Sequence, residues 1–330
     1  MLEAQQGGVV GGKQKKPSAF HRLLARLNGR VSPPRSSVPP ETLRPRTTPS
    51  TLPVRTPTPP AASFPSLNQL RTQGQLLLKC PAEDRRVWLL QWEGVDMIVK
   101  EGKDVDAGEA QMTEFARTAT GLPIPRVYAS LQDGDCTSIF LEKLPGTILH
   151  DRCCWLEKNE REAVLEDIKD AFHRLHGLPA PPGTRVGGLG RKNLAALLNA
   201  TEVSPSLSST AELHAWLKRR HHATLPSRSV NYEQAVVPHL DDSAPLVLVH
   251  GDLHGGNVLV HEGRLSGLID FGRAGWYPEW VERWGLLTQL RYERTLAEVL
   301  MARKLVGREA VDREEHRWMW LAWDGWAPSE

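Results

Sequence analysis

The sequence of 330 residues is poor in cysteine, lacks any long apolar run and has almost no net charge. Its cysteines are Cys80, Cys136, Cys153 and Cys154. Because none of them shows CxxC spacing, we expect neither a zinc site nor a disulfide framework, and a reducing compartment fits. No window reaches the roughly 18 apolar residues of a transmembrane helix, and no secretory signal is predicted at the start. The net charge of +2 indicates no dominant acidic or basic partner.

The charge is unevenly distributed along the chain. Residues 1–70 carry ten Lys and Arg against two Glu, a net charge of +8, so the other 260 residues carry −6. The same segment holds twelve of the 25 prolines, and its Pro/Ser/Thr-rich composition predicts a disordered basic tail. Within the tail, SAFHRLLARLNGR is similar to an Arg-rich presequence, so a mitochondrial location is the alternative to a cytoplasmic one. The acidic remainder argues against nucleic acid as a partner of the folded part.

Residues 71–145 have the pattern of a small α+β lobe. QLLLKC, RRVWLLQW and VDMIVK predict strands, and RVYASL and TSIFLEKL predict two more. Between these groups, residues 109–119 predict a helix. The buried side of that helix is expected to include Ala110, Phe115 and Ala119.

The rest of the chain, residues 146–330, predicts a larger and mainly helical lobe. NEREAVLEDIKDAFHRLHGL predicts a strong helix that Asn159 caps. Residues 193–240 and 279–322 are also expected to be mainly helical. The apolar stripe of the strong helix would consist of Val164, Ile168, Phe172 and Leu175.

The stretch LVHGDLHGGNVLV, residues 248–260, places His250, Asp252 and Asn257 between apolar runs. Their order is that of a kinase-type catalytic loop, in which Asp and Asn are separated by four residues. Asp252 would act as the base beside an attacking hydroxyl. Asn257 would hold a magnesium ion through a neutral amide.

A second motif, Ile-Asp-Phe-Gly, follows across a predicted hairpin of VLVH and LSGLID. The hairpin would bring Asp270 to the same end as Asn257. An aspartate there can connect magnesium to nucleotide phosphates. Together the two motifs predict a metal and phosphate site, although ordinary turn formers would give a similar local pattern.

These two motifs and the stretch AGWYPE at 274–279 resemble the aminoglycoside phosphotransferase family, which includes choline-kinase-like enzymes, and above all its fungal members. The resemblance covers roughly residues 75–325. It implies a two-lobed, protein-kinase-like α+β fold, with a strand-rich N-lobe that binds nucleotide and a mainly helical C-lobe. It also implies transfer of the γ-phosphate of ATP or GTP to a hydroxyl of a small molecule, with Mg²⁺ as cofactor.

The resemblance assigns further residues upstream of the loop. Lys100 would hold the nucleotide phosphates, and Glu109, with Glu114 as second candidate, would pair with it. The backbone around Glu142 and Leu144 in IFLEKL would hydrogen-bond the base.

Several polar residues near the motifs are additional candidates. His250 is expected to order the catalytic loop, and His254 either does the same or faces the substrate. Arg273 would either contact a phosphate group or lie exposed on the surface. Glu279 and Glu282 are candidates for binding a cationic or sugar-like substrate, because tryptophans surround them. The alternative is that the tryptophans form a helical core with a solvated acidic face.

One departure from the protein-kinase pattern leaves other functions open. No GxGxxG precedes Lys100, and residues 80–86 contain no glycine, so Arg85 and Arg86 or backbone amides would have to contact the phosphates. A non-catalytic pseudokinase that binds a partner is therefore the alternative. A protein kinase fits less well, because no Ala-Pro-Glu segment follows Ile-Asp-Phe-Gly at a suitable distance.

Overall fold

The computed structural model describes residues 64–80, 84–189, 206–224, 241–292 and 295–308. Most of the predicted tail, including its presequence-like segment, lies outside these ranges. The same holds for much of the predicted helical region 193–240 and for residues 309–330. The boundaries of the predicted tail and lobes therefore stay predictions.

Five antiparallel strands form the sheet of the N-lobe, in the order β1-β2-β3-β5-β4. They are β1 (Gln75–Cys80), β2 (Arg85–Trp92), β3 (Val95–Gly102), β4 (Val127–Asp133) and β5 (Cys136–Glu142). Glu93 and Gly94 connect β2 to β3, and both have the positive φ that a type I′ hairpin turn needs. All five strands predicted from the sequence are present.

Two helices pack on this sheet: α1 (Leu67–Gln73) and α2 (Ala107–Thr120). The side chain of Asp106 accepts a hydrogen bond from Gly108 N–H and so caps α2. Gly121 ends the helix in the left-handed conformation. The N-terminus of α2 is therefore fixed close to the end of β3, which places Glu109 in its first turn.

The predicted buried side of α2 is wrong. Ala110 is buried, but Phe115 is 36% exposed and Ala119 is exposed. The face that is buried contains Met112 and Ala116, which pack into the core of the C-lobe. The prediction failed because α2 contacts both lobes, so a single apolar stripe does not describe its buried surface.

The C-lobe is built on α4 (Lys158–His176), preceded by the short α3 (Leu149–Arg152). The predicted apolar stripe of α4 is buried in full. Its cap is Glu157 rather than Asn159, and Glu157 N–H donates to the Glu160 carboxylate. The described residues beyond α4 include the helices α5 (Thr210–Thr224), α6 (Trp280–Tyr292) and α7 (Leu296–Leu305).

Short strands of the C-lobe connect these helices to the cleft between the lobes. β6 (Thr147–Ile148), β8 (Val258–His261) and β9 (Arg264–Leu268) form one sheet, and β7 (Leu246–Val249) pairs with β10 (Gly275–Pro278). The β8–β9 hairpin that the sequence predicts is present. It carries Asn257 just before β8 and Asp270 just after β9.

The chain thus has the predicted α+β fold with a strand-rich N-lobe and a mainly helical C-lobe. No described helix is long and apolar enough to cross a membrane. The described cysteines are free thiols. Of the seven tryptophans after residue 275, Trp276, Trp280 and Trp284 are described, and all three are buried in the core.

Candidate active site

Lys100 of β3 lies between two carboxylates. Its Nζ is 2.5 Å from Oε1 of Glu109 and 2.8 Å from Oδ1 of Asp270. The lysine side chain is 7% exposed, so its ammonium group forms hydrogen bonds with these carboxylates in place of most of its contacts with water. The pairing of Lys100 with Glu109 is the one predicted first. Glu114, the second candidate, contacts Arg117 instead.

Charge pairing in this cluster outweighs the cost of burial. Burial alone would raise the pKa of the Asp270 carboxyl, but Lys100 and Arg85 hold that pKa well below its usual range. Burial alone would lower the pKa of Lys100, but Asp270 and Glu109 raise it. Burial raises the pKa of Glu109 against the effect of Lys100. Asp270 is therefore the more strongly ionised partner of the lysine.

The backbone around Asp270 is unusual for a residue with a side chain. Asp270 adopts the left-handed conformation, with φ 67° and ψ 66°. A short 3₁₀ turn at Phe271–Arg273 follows directly. A Cβ at Gly272 would lie 3.1 Å from Glu109 Oε2, so glycine lets this turn approach α2 closely. The aspartate is thereby aimed at Lys100 across the cleft.

His250 connects the catalytic loop to the segment before Asp270. The imidazole is fully buried. Its Nδ1 accepts from Asp252 N–H at 3.2 Å, and its Nε2 lies 3.1 Å from the carbonyl oxygen of Ile269. This arrangement requires the proton on Nε2, which then donates to the carbonyl. The geometry fits the loop-ordering role that the sequence predicts.

Asn257 and Asp270 meet at one end of the β8–β9 hairpin. The Asn257 carbonyl accepts from Ile269 N–H at 3.0 Å. The amide Nδ2 of Asn257 donates to the Asp252 carbonyl at 2.8 Å, so the amide oxygen is the end directed elsewhere. A carboxylate and an amide oxygen are suitable ligands for Mg²⁺. Among the described residues, no group of three or more His, Cys, Asp or Glu side chains gathers as a metal site.

Two donors from later parts of the chain contact the carboxylate of Asp252. Arg273 Nη1 is 3.4 Å and Gln289 Nε2 is 3.3 Å from Asp252 Oδ1. The Asp252 side chain is 19% exposed. One carboxylate oxygen is thus held by donors at the edge of the cleft, which orients the second oxygen. No sequence pattern pointed to Gln289, which lies in the second half of helix α6.

His254 contacts its own loop. Its Nδ1 accepts from Gly256 N–H at 3.1 Å, capping the 3₁₀ turn Gly255–Asn257. The side chain is partly buried. Of the two predicted roles, this contact favours ordering of the loop.

An apolar cleft of about 130 Å³ lies between the lobes beside Lys100 and Asp270. Its walls include Val87, Ile98, Leu141, Leu144, Leu259 and Ile269. Glu142 also lines it, but Glu142 N–H donates to the Arg126 carbonyl and its carboxylate accepts from Arg126 N–H. The base of a nucleotide bound here would therefore have to hydrogen-bond to backbone groups of the segment ending in Leu144 other than Glu142 N–H.

The phosphate-binding side is described in part, because residues 81–83 lie outside the described ranges. Arg85 Nη1 is 3.9 Å from Asp270 Oδ2 and so reaches the cluster of Lys100, Glu109 and Asp270. Arg86 contacts Glu101 and Asp84 instead. Of the two predicted arginines, Arg85 is the one brought to the site.

The prediction that Glu282 binds substrate is wrong. Its side chain is 1% exposed, and both carboxylate oxygens accept hydrogen bonds from backbone amides of the catalytic loop. Glu279, the other substrate candidate, forms an exposed ion pair with Arg283 one turn along the chain. The backbone turns these two carboxylates in different directions, which the tryptophan-rich pattern did not indicate.

The chain resembles known phosphotransferases in sequence and in fold. The model of the phosphotransferase enzyme family matches residues 81–321. A crystal structure of a thermostable mutant of aminoglycoside phosphotransferase APH(4)-Ia shares 18% identity and a TM-score of 0.56, with 76% of this chain and 84% of that chain covered. Another thermostable mutant of the same enzyme, in a ternary complex with AMP-PNP and hygromycin B, shares 16% identity and a TM-score of 0.57. The comparison covers 77% of this chain and 86% of that chain.

No curated protein is similar enough in sequence to be matched. At such low identity the structural likeness shows the fold alone, whereas the family match covers more than two thirds of the chain. The match includes β2, β3, the catalytic loop and Asp270. The chain therefore belongs to the phosphotransferase enzyme family.

Proposed function

We propose that this enzyme transfers the γ-phosphate of ATP to a hydroxyl of a small molecule in a magnesium-dependent reaction. The observation that carries the proposal is the cluster of Lys100, Glu109 and Asp270 at the mouth of the apolar cleft. The similar structure that is a ternary complex with AMP-PNP and hygromycin B supports a nucleotide as the phosphate donor.

Each polar group has a separate task in this reaction. Lys100, oriented by Glu109, binds phosphate oxygens, and Arg85 adds positive charge nearby. Asp270 and Asn257 would hold Mg²⁺, which when bound neutralises charge on the phosphates. Asp252 orients the acceptor hydroxyl and takes its proton. Most of the rate enhancement comes from positioning and charge neutralisation, because phosphoryl transfer needs little covalent help from the protein.

Binding of nucleotide is tested by thermal unfolding of the full chain. We expect MgATP to raise Tm, because a ligand at about 100 times its Kd stabilises the folded state by roughly 2.7 kcal/mol. ATP without magnesium should give a smaller shift. The same measurement with GTP determines which base the cleft prefers. No shift with either nucleotide would contradict the proposal.

The reaction itself is tested with nucleotide labelled at the γ-phosphate and a panel of hydroxylated metabolites and aminoglycosides. Transfer of label to a small molecule is the expected result. Binding of MgATP without transfer to any acceptor would instead favour the pseudokinase alternative.

Gln289→Leu should lower kcat by about tenfold with the acceptor that the screen identifies. The substitution removes one donor to the Asp252 carboxylate, and a hydrogen bond to a charged group contributes roughly 1.5–3 kcal/mol. KM for MgATP should not change, because Gln289 contacts no residue of the Lys100 cluster in the described structure. Gln91→Leu, which removes an exposed contact with Asp96, is the control. An unaltered kcat would show that Gln289 does not orient Asp252.

A further inference from the structure

Two buried glutamates reach the catalytic loop from consecutive helices. Glu282 belongs to α6 and is 1% exposed. Its Oε2 accepts from His250 N–H at 2.6 Å, and its Oε1 accepts from Gly251 N–H at 3.1 Å. These are the two amides that directly precede Asp252, so this carboxylate fixes the backbone on the N-terminal side of the base.

Glu298 of α7 fixes the other side of the loop. It is 2% exposed, and its Oε1 accepts from Gly255 N–H at 3.1 Å. A Cβ at Gly255 would lie 2.7 Å from this oxygen and 2.9 Å from the Cβ of Ala297, so only glycine permits the contact. Oε2 of Glu298 is buried and has no hydrogen-bond partner among the described residues.

Charge neutralisation by basic side chains does not explain these two carboxylates. Within the described part of the chain, no Lys or Arg lies within ion-pair distance of either one. The nearest basic groups are imidazoles, His176 at 3.8 Å from Glu282 and His150 at 3.5 Å from Glu298. A buried carboxylate is costly unless it is hydrogen-bonded. Hydrogen bonds to the loop amides are the compensation that the structure shows.

We propose that Glu282 and Glu298 are positioning residues that hold the catalytic loop on both sides of Asp252. By fixing the amides of His250, Gly251 and Gly255, they determine where the Asp252 carboxylate stands relative to the acceptor hydroxyl. The catalytic consequence depends on the function proposed above, whereas the effect on the loop does not.

The geometry makes the two glutamates unequal in a way that can be measured. Glu282 uses both oxygens as acceptors, and Glu298 uses one. A glutamine side chain has one acceptor oxygen and one donor NH₂. Glu282→Gln must therefore leave one loop amide facing a donor, whereas Glu298→Gln can keep the single hydrogen bond that it accepts from the loop. Glu298→Leu removes that hydrogen bond, because it replaces the carboxylate with an apolar side chain of similar size.

Hydrogen exchange of the full-length protein, followed by mass spectrometry, tests this difference. Glu282→Gln should speed exchange in peptides covering residues 248–253 by about tenfold or more, the size expected for a hydrogen bond to a charged acceptor. Glu298→Leu should do the same for 253–257, and Glu298→Gln should exchange like wild type. Glu162→Gln, which alters an exposed carboxylate on α4, is the matched control.

Turnover adds a second measurement. Glu282→Gln and Glu298→Leu should lower kcat by about tenfold to a hundredfold, because small displacements of a catalytic group have effects of that order. KM for MgATP should change much less than kcat, because the side chains of Lys100, Glu109 and Asp270 are untouched. A rise in KM for MgATP as large as the fall in kcat would indicate a general loss of structure and would overturn the positioning role.

The proposal is wrong if Glu282→Gln exchanges like Glu162→Gln, or if Glu298→Gln behaves like Glu298→Leu. Should Glu282→Gln not fold, the comparison of the two Glu298 variants decides alone. If the wild-type enzyme transfers phosphate to no acceptor, the proposed function fails, while the exchange experiment still tests the role of the two glutamates.

Discussion

Asp270→Asn is expected to abolish phosphate transfer while leaving the fold intact. Asparagine keeps an oxygen that can accept from Lys100 Nζ, and it tolerates the left-handed backbone that Asp270 adopts. What is lost is the negative charge that would hold magnesium. Because such a metal contributes several kcal/mol of charge stabilisation, kcat should fall by about a thousandfold or more.

The decisive measurement is the dependence of the MgATP-induced Tm shift on magnesium concentration, alongside turnover. In the variant, the shift should respond much less to magnesium than in the wild type. Asp135→Asn changes an exposed aspartate that pairs with Lys103 and should leave both quantities unchanged. A variant with wild-type magnesium dependence and turnover would show that Asp270 is not a metal ligand.

The asparagine variant is more informative than alanine because Asp270 also belongs to the buried cluster of Lys100. Both variants remove one negative charge, and in both Glu109 still pairs with Lys100; alanine in addition removes the oxygen that accepts from Lys100 Nζ, and loss of a buried hydrogen-bond partner costs about 1–3 kcal/mol. Asp270→Ala would therefore combine a loss of stability with a loss of activity. The sequence alone predicts the metal role of Asp270 but not its contact with Lys100.

Local spacing explains which parts of the site could be predicted. His250, Asp252 and Asn257 lie within eight residues, and the hairpin of β8 and β9 brings Asp270 to the same end by strand pairing. Lys100 and Glu109 lie on a strand and the helix that follows it, so their pairing needs one connection only. Most strand pairs of the N-lobe sheet also join strands that are consecutive in the chain, namely β1–β2, β2–β3 and β4–β5.

Contacts between distant helices and the loop could not be predicted. Glu282 and Gln289 lie 32 and 37 residues from their partners His250 and Asp252. Their roles depend on which face of α6 is turned toward the catalytic loop. The sequence does not predict this face, because the hydrophobic residues of α6 do not lie on one side of the helix. For the same reason the sequence suggested that Glu282 faces a substrate, whereas the helix turns it toward the loop backbone.

The second large effect is expected for Asp252→Asn, which should lower kcat by about 10²–10⁴-fold, the usual contribution of general acid–base catalysis. The amide oxygen of asparagine can still accept from Arg273 and Gln289, and the backbone bonds of Asp252 to His250 and Asn257 do not involve its side chain. The loop therefore keeps its shape and loses only the proton acceptor.

Two further measurements separate loss of the base from loss of structure. MgATP should bind to the Asp252→Asn variant as to the wild type, since Lys100, Glu109 and Asp270 are unchanged. Asp170→Asn, an exposed change on α4, is the control for removal of one carboxylate. Turnover by Asp252→Asn within a few-fold of wild type would mean that Asp252 does not take the proton of the acceptor. The assignment of this loop as the catalytic loop would then be wrong, even with the Lys100 cluster intact.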